Sequence, residues 1–139
     1  MIILDTNVVS ELMRPAPEPR VLRWFGSQAA EDLHITAVTM AEILYGIELV
    51  ATSRRRDVLR AGAEKMFEAV FADRILTYED RAARLFSQIA SARRRQGKPI
   101  SESDAQIAAI TRVAGATLAT QNPYVFEGCG VRLVNPWEG

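Results

Sequence analysis

Three acids, Asp5, Glu42 and Asp104, each sit where a helix is about to start or has just started, and such positions can hold a carboxylate toward a common crevice. Two carboxylates about 4 Å apart repel by roughly 4 kcal/mol at an effective dielectric near 20, and a proton or a divalent cation relieves that repulsion. Oxygen donors without a supporting Cys/His set favour a hard ion, Mg²⁺ or Mn²⁺, over zinc. The chemistry such a site supports is metal-assisted hydrolysis or transfer at phosphorus. Each acid also has a plainer use: Asp5 can N-cap the helix after it, and Thr39-x-x-Glu42 and Ser101-x-x-Asp104 both match the capping-box pattern. A cap accounts for an acid at each helix separately. It does not account for several acids facing one crevice.

That convergence depends on the elements. An apolar strand is predicted at 2–4, a helix at 6–13 ended by Pro15, Pro17 and Pro19, and a second helix at 19–29. Leu33 to Val38 reads as a strand, after which Thr39 opens a helix at 40–51. Helical spacing follows at 54–71 and 79–96 around a short strand at 74–77, and Gly97-Lys98-Pro99 breaks the second of these helices. Ser101 to Gly115 is a further helix with Gly115 at its C-terminal stop, and strands are predicted at 117–119 and 131–134. Alternating strands and helices imply an α/β domain, a three-layer α/β/α arrangement around a central, mainly parallel sheet of four to five strands. In such a sheet every strand ends, and every connecting helix begins, on one edge, the edge where open α/β sheets bind ligands. Asp5, Glu42, Asp104 and also Asn122, just after the fourth strand, are all predicted there.

Other chemistries lack their residues. The chain has no P-loop, no Gly-rich dinucleotide turn and no nucleophile elbow, and its single histidine, His34, falls inside a predicted strand where a structural role is expected. At 139 residues the chain is expected to form one domain over 1–139, with 48% hydrophobic and 24% charged residues as in an ordinary globule. Net charge is +0, so no global field draws nucleic acid; the arginine runs 54–56 and 93–95 are either local phosphate contacts or solvated helix ends. One cysteine, Cys129, no basic leader and no long apolar run make a cytoplasmic location, with no membrane association, the expectation.

The chain resembles the PIN-domain nucleases, and within them the VapC and FitB-like toxins of bacterial toxin–antitoxin pairs. Ile3-Leu4-Asp5-Thr6-Asn7 looks like the first motif of that family and Thr36 to Gly46, with Glu42 inside it, like the second. Ser103-Asp104-Ala105-Gln106-Ile107-Ala108-Ala109 is similar to the third, and Leu118 to Asn122 with Asn135-Pro136-Trp137 to the ending. The resemblance implies an endoribonuclease using Mg²⁺, with Mn²⁺ as a substitute, and silenced by an antitoxin protein. It implies a homodimer that meets DNA only through the antitoxin. By position, Asp5 and Asp104 would bind metal, Glu42 would bind metal or orient water, and Thr6 and Asn7 would support Asp5 and the water.

The chain departs from the family where a fourth acid is common, at Asn122 or at Val125, and Gln121 replaces a usually basic residue. A neutral Asn122 leaves three acids, which implies a firmly held first ion and a weak second one. Two alternatives remain at this point. One is a catalytically weakened PIN domain that binds RNA or a partner. The other is a phosphoacceptor at Asp5, which lacks a lysine after a strand, since the only lysines are Lys65 and Lys98.

Overall fold

The computed structural model describes residues 1–138. Strands β1 (Ile2–Leu4), β2 (Leu33–Thr36), β3 (Ile75–Leu76), β4 (Thr117–Ala119) and β5 (Arg132–Val134) form one sheet in the order β3-β2-β1-β4-β5. Every neighbouring pair is parallel, so the sheet is wholly parallel with five strands, the upper limit of the expectation. Helices cover both faces of the sheet, so the central strands β1, β2 and β4 are mostly buried, while the edge strands β3 and β5 are only partly so. Successive side chains alternate between those faces. Ile3 and Leu118 enter one hydrophobic cluster, with Ile89, Ile107 and Phe126, while their neighbours Leu4 and Ala119 enter the other, with Val8, Ile43 and Phe67.

Helices α1 (Thr6–Leu12), α2 (Pro19–Ser27), α3 (Ala37–Glu48) and α4 (Ser53–Ala69) cover the second face, and α5 (Asp80–Arg95) and α6 (Glu102–Ala114) cover the first. Helix α6 presents Ala105, Ala108 and Ala109 fully buried, small side chains that let it lie close to the sheet. It ends at Gly115, whose φ of 64° is the left-handed conformation that only glycine adopts without strain.

Two boundaries differ from the sequence reading for a physical reason. The second strand stops at Thr36, two residues short of Val38, because the Thr36 hydroxyl accepts a 3.0 Å bond from the Thr39 N–H and caps α3 there. Thr39 therefore caps nothing, and the Thr39-x-x-Glu42 capping box does not form. The two single-turn helices at Ala30–Asp32 and Pro123–Phe126 were not anticipated, being too short to show a helical period.

Strand order decides where the site lies. From β1 the chain winds outward to β2 and β3, then returns to lay β4 on the other side of β1. The reversal puts the site at the carboxyl ends of β1 and β4, where Asp5 and Thr120 lie side by side.

Candidate functional site

Asp5 leaves β1 and N-caps α1, its Oδ1 accepting the Thr6 N–H at 2.9 Å. From the end of the neighbouring strand β4 the Thr120 hydroxyl donates to Asp5 Oδ2 at 2.8 Å, and Asn7 Nδ2 donates to the same oxygen at 3.3 Å. Thr120 is itself held by the Asn122 backbone N–H, which donates to its oxygen at 3.1 Å. Asp5 is only 4% exposed. Burial pushes its pKa up from 3.8 to about 6; the bonds from Thr120 and the Thr6 amide oppose the rise, and the nearby charges of Asp104 and Glu42 add to it.

Glu42 lies in the second turn of α3, later than expected, since the helix begins at Ala37. It takes no part in a cap. Its Oε1 instead accepts a 2.7 Å bond from the Thr6 hydroxyl, which lies 3.0 Å from the Thr39 hydroxyl. Asp104 occupies the first turn of α6, where its N–H donates to the Ser101 cap at 3.2 Å. The Ser101 cap forms as expected, and its geometry leaves the Asp104 carboxylate at the crevice.

Asp5, Thr6, Asn7, Glu42 and Asp104 line one open cavity of about 500 Å³. Five of the six residues singled out from sequence thus meet. Asn122 does not line this cavity: its side-chain oxygen lies 3.5 Å from the Tyr124 hydroxyl, and its link to the acids runs through its backbone and Thr120. Among the described residues no three Asp, Glu, His or Cys side chains form a ready-made cage for an ion. A buried carboxylate destabilised by two acidic neighbours nevertheless fits a divalent cation, particularly one like Mg²⁺ that is held by one or two carboxylates and keeps several waters.

Thr120, Ser10, Glu11 and Arg14 belong to the site or its wall and were missed from sequence. The signal for Thr120 was its place directly after β4. For the others it was helical spacing, because 7, 10, 11 and 14 fall on one stripe of α1 and its following turn. His34 is structural as expected, its Nδ1 lying 3.0 Å from the Asp32 carbonyl. The arginine runs divide: 54–56 opens α4, whereas Arg93 is buried at the end of α5 and donates to the carbonyls of Lys98 and Val125.

The PIN domain profile matches residues 2–127. The chain belongs to the PIN domain family. Toxin FitB of Neisseria gonorrhoeae is 37% identical over 99% of both chains. The VapC ribonuclease Y4jK of Sinorhizobium fredii is 34% identical, again over 99% of each. In three dimensions this PIN domain superposes on the crystal structure of FitAcB from Neisseria gonorrhoeae with a TM-score of 0.91, 37% identity and complete coverage of both chains. No helix among the described residues is long and apolar enough to cross a membrane.

Proposed function

We propose that this PIN domain is the ribonuclease toxin of a toxin–antitoxin pair and hydrolyses RNA phosphodiester bonds with Mg²⁺, or Mn²⁺ in its place. The observation that carries the reading is Asp5, buried and ionisable at the topological switch beside Asp104 and Glu42. Relatives named as a toxin and as a ribonuclease, alike over their full length, support it. Asp5 and Asp104 would hold the ion, which supplies positive charge to the developing phosphorane and lowers the pKa of water. Thr120, Asn7 and the Thr6 amide fix the Asp5 carboxylate so that it needs no reorganisation when it binds. Glu42, held by Thr6, is aimed into the cavity where it can accept a proton from the attacking water.

A groove between α1, α3 and α4 supports the antitoxin half of the reading. Met13, Ile43, Ile47, Val50 and Leu59 line it, and it shares Thr6, Ser10, Arg14 and Glu42 with the acid cavity. An amphipathic antitoxin helix laid there would reach the acids with a basic side chain. The weakened-domain reading loses force because Asn122, where the chain departs from the family, contributes no cavity wall. The test is Mn²⁺-dependent cleavage of structured RNA by the purified protein, lost on chelation and in Asp5→Asn or Asp104→Asn. Cleavage that persists in either variant, or with chelator present, overturns the assignment.

A further inference from the structure

Arg14 is the one basic residue among the described residues lining the acid cavity, where it shares the wall with Asp5, Glu11, Glu42 and Asp104. Its Nη1 lies 3.2 Å from both carboxylate oxygens of Glu11. Glu11 is not a free surface acid. Its side chain is 10% exposed, and its Oε2 also accepts the Glu18 N–H at 3.1 Å, which ties the proline-rich turn after α1 back onto the helix. The Arg14 side chain is 65% exposed, and its Nε and Nη2 make no bond among the described residues. Only Nη1 serves the buried Glu11 carboxylate, so Nε and Nη2 are not used in holding it. One corner of the guanidinium is therefore anchored on Glu11, and its other two nitrogens remain available at the cavity wall that Arg14 helps to form.

We propose that Arg14 grips a phosphate of the RNA beside the scissile one. The inference rests on the ribonuclease reading above. A polyanion entering this cavity meets four carboxylates, and whatever a bound cation neutralises, the flanking phosphates still face an acidic wall. Arginine suits the task better than lysine because its planar fork matches two phosphate oxygens. Asp5 caps the start of α1 and Arg14 follows its C-terminal end, so the two stand at opposite ends of that helix and the guanidinium is placed for a neighbouring phosphate, not the one that reacts.

The test uses the full chain carrying Asp104→Asn to prevent cleavage, and a short labelled single-stranded RNA of mixed sequence as probe. Its Kd is followed by fluorescence anisotropy from about 50 to about 200 mM NaCl. Adding Arg14→Gln is expected to raise Kd about tenfold and to flatten the slope of log Kd against log salt by about 0.7, the loss of one phosphate contact to a single strand. Arg14→Lys is expected to restore the slope without restoring the full affinity. Calorimetric Mn²⁺ binding, measured with Asp104 intact, is expected to be the same with Arg14, Gln or Lys. An unchanged Kd and slope in Arg14→Gln overturns the proposal, as does loss of Mn²⁺ binding in that variant, which would make Arg14 a support of the acid site. Absence of RNA binding by the Asp104→Asn protein with Arg14 present likewise overturns this proposal, whereas absence of Mn²⁺-dependent cleavage by the parent protein overturns the ribonuclease reading and takes this one with it.

Discussion

Asp5 meets two conflicting demands, since it caps a helix inside the protein and must carry a charge there. With its pKa raised from 3.8 to about 6, ionising it in the folded state costs about 3 kcal/mol more than in the unfolded chain. The sign follows from the direction: its favourable contribution is complete below about 3.8 and is lost as pH rises through about 6. Asp5→Asn is accordingly expected to stabilise the metal-free protein at pH 7.5 by about 1–2 kcal/mol, less than the full cost because the amide forfeits an accepted bond. The gain is expected to shrink at pH 5, and Mn²⁺ is expected to raise the Tm of the parent but not of the variant. Thermal unfolding with and without chelator measures all three, and a variant less stable than its parent at pH 7.5 would refute the account. Asp5 was legible in the sequence because it follows the first apolar run. The place of Thr120 directly after β4 was legible too, but not its bond to Asp5, 115 positions away, which exists only once β4 lies beside β1.

At the level of elements, the start of α3 shows how capping competes with strand extension. The run Thr36-Ala37-Val38-Thr39 has β-branched content that reads as continuing strand, and Thr39 three residues before Glu42 imitates a cap. Thr36 takes the cap because it is the last residue paired in the sheet, opposite Leu76 on β3. Thr36→Val is therefore expected to cost about 1–2 kcal/mol in urea unfolding, the loss of a buried N-cap. Thr39→Val is expected to cost less, since Thr6 keeps Glu42 as its acceptor. Equal losses, or a larger one at Thr39, would place the cap wrongly. The boundary matters to function: starting three residues earlier puts Glu42 in the second turn, where its carboxylate bonds to Thr6 and not to the α3 amides.

For the whole molecule the groove and the acid cavity form one continuous surface, so an occupant of the groove can block the acids without touching the sheet. Gly46 offers a clean probe, because it lines the groove and a Cβ added there meets nothing within 4 Å. Gly46→Leu is expected to keep or slightly raise stability, as leucine is the better helix former by close to 1 kcal/mol. RNA cleavage is expected to persist while suppression by the co-expressed antitoxin weakens. Full suppression of the variant would move the antitoxin elsewhere. The sequence by itself determined the α/β class, the order of elements and three acids at strand-end positions, because periodicity and caps are local properties. It could not determine that β4 returns beside β1, that Asn122 is not among the residues lining the cavity, or that Arg14 joins the acids. Those follow from strand order and from the hydrogen bonds it permits, and they separate three plausible caps from one site: Asp5, Glu42 and Asp104 share a cavity because the parallel strands that precede and follow their helices end on one edge and the strand order reverses at β1.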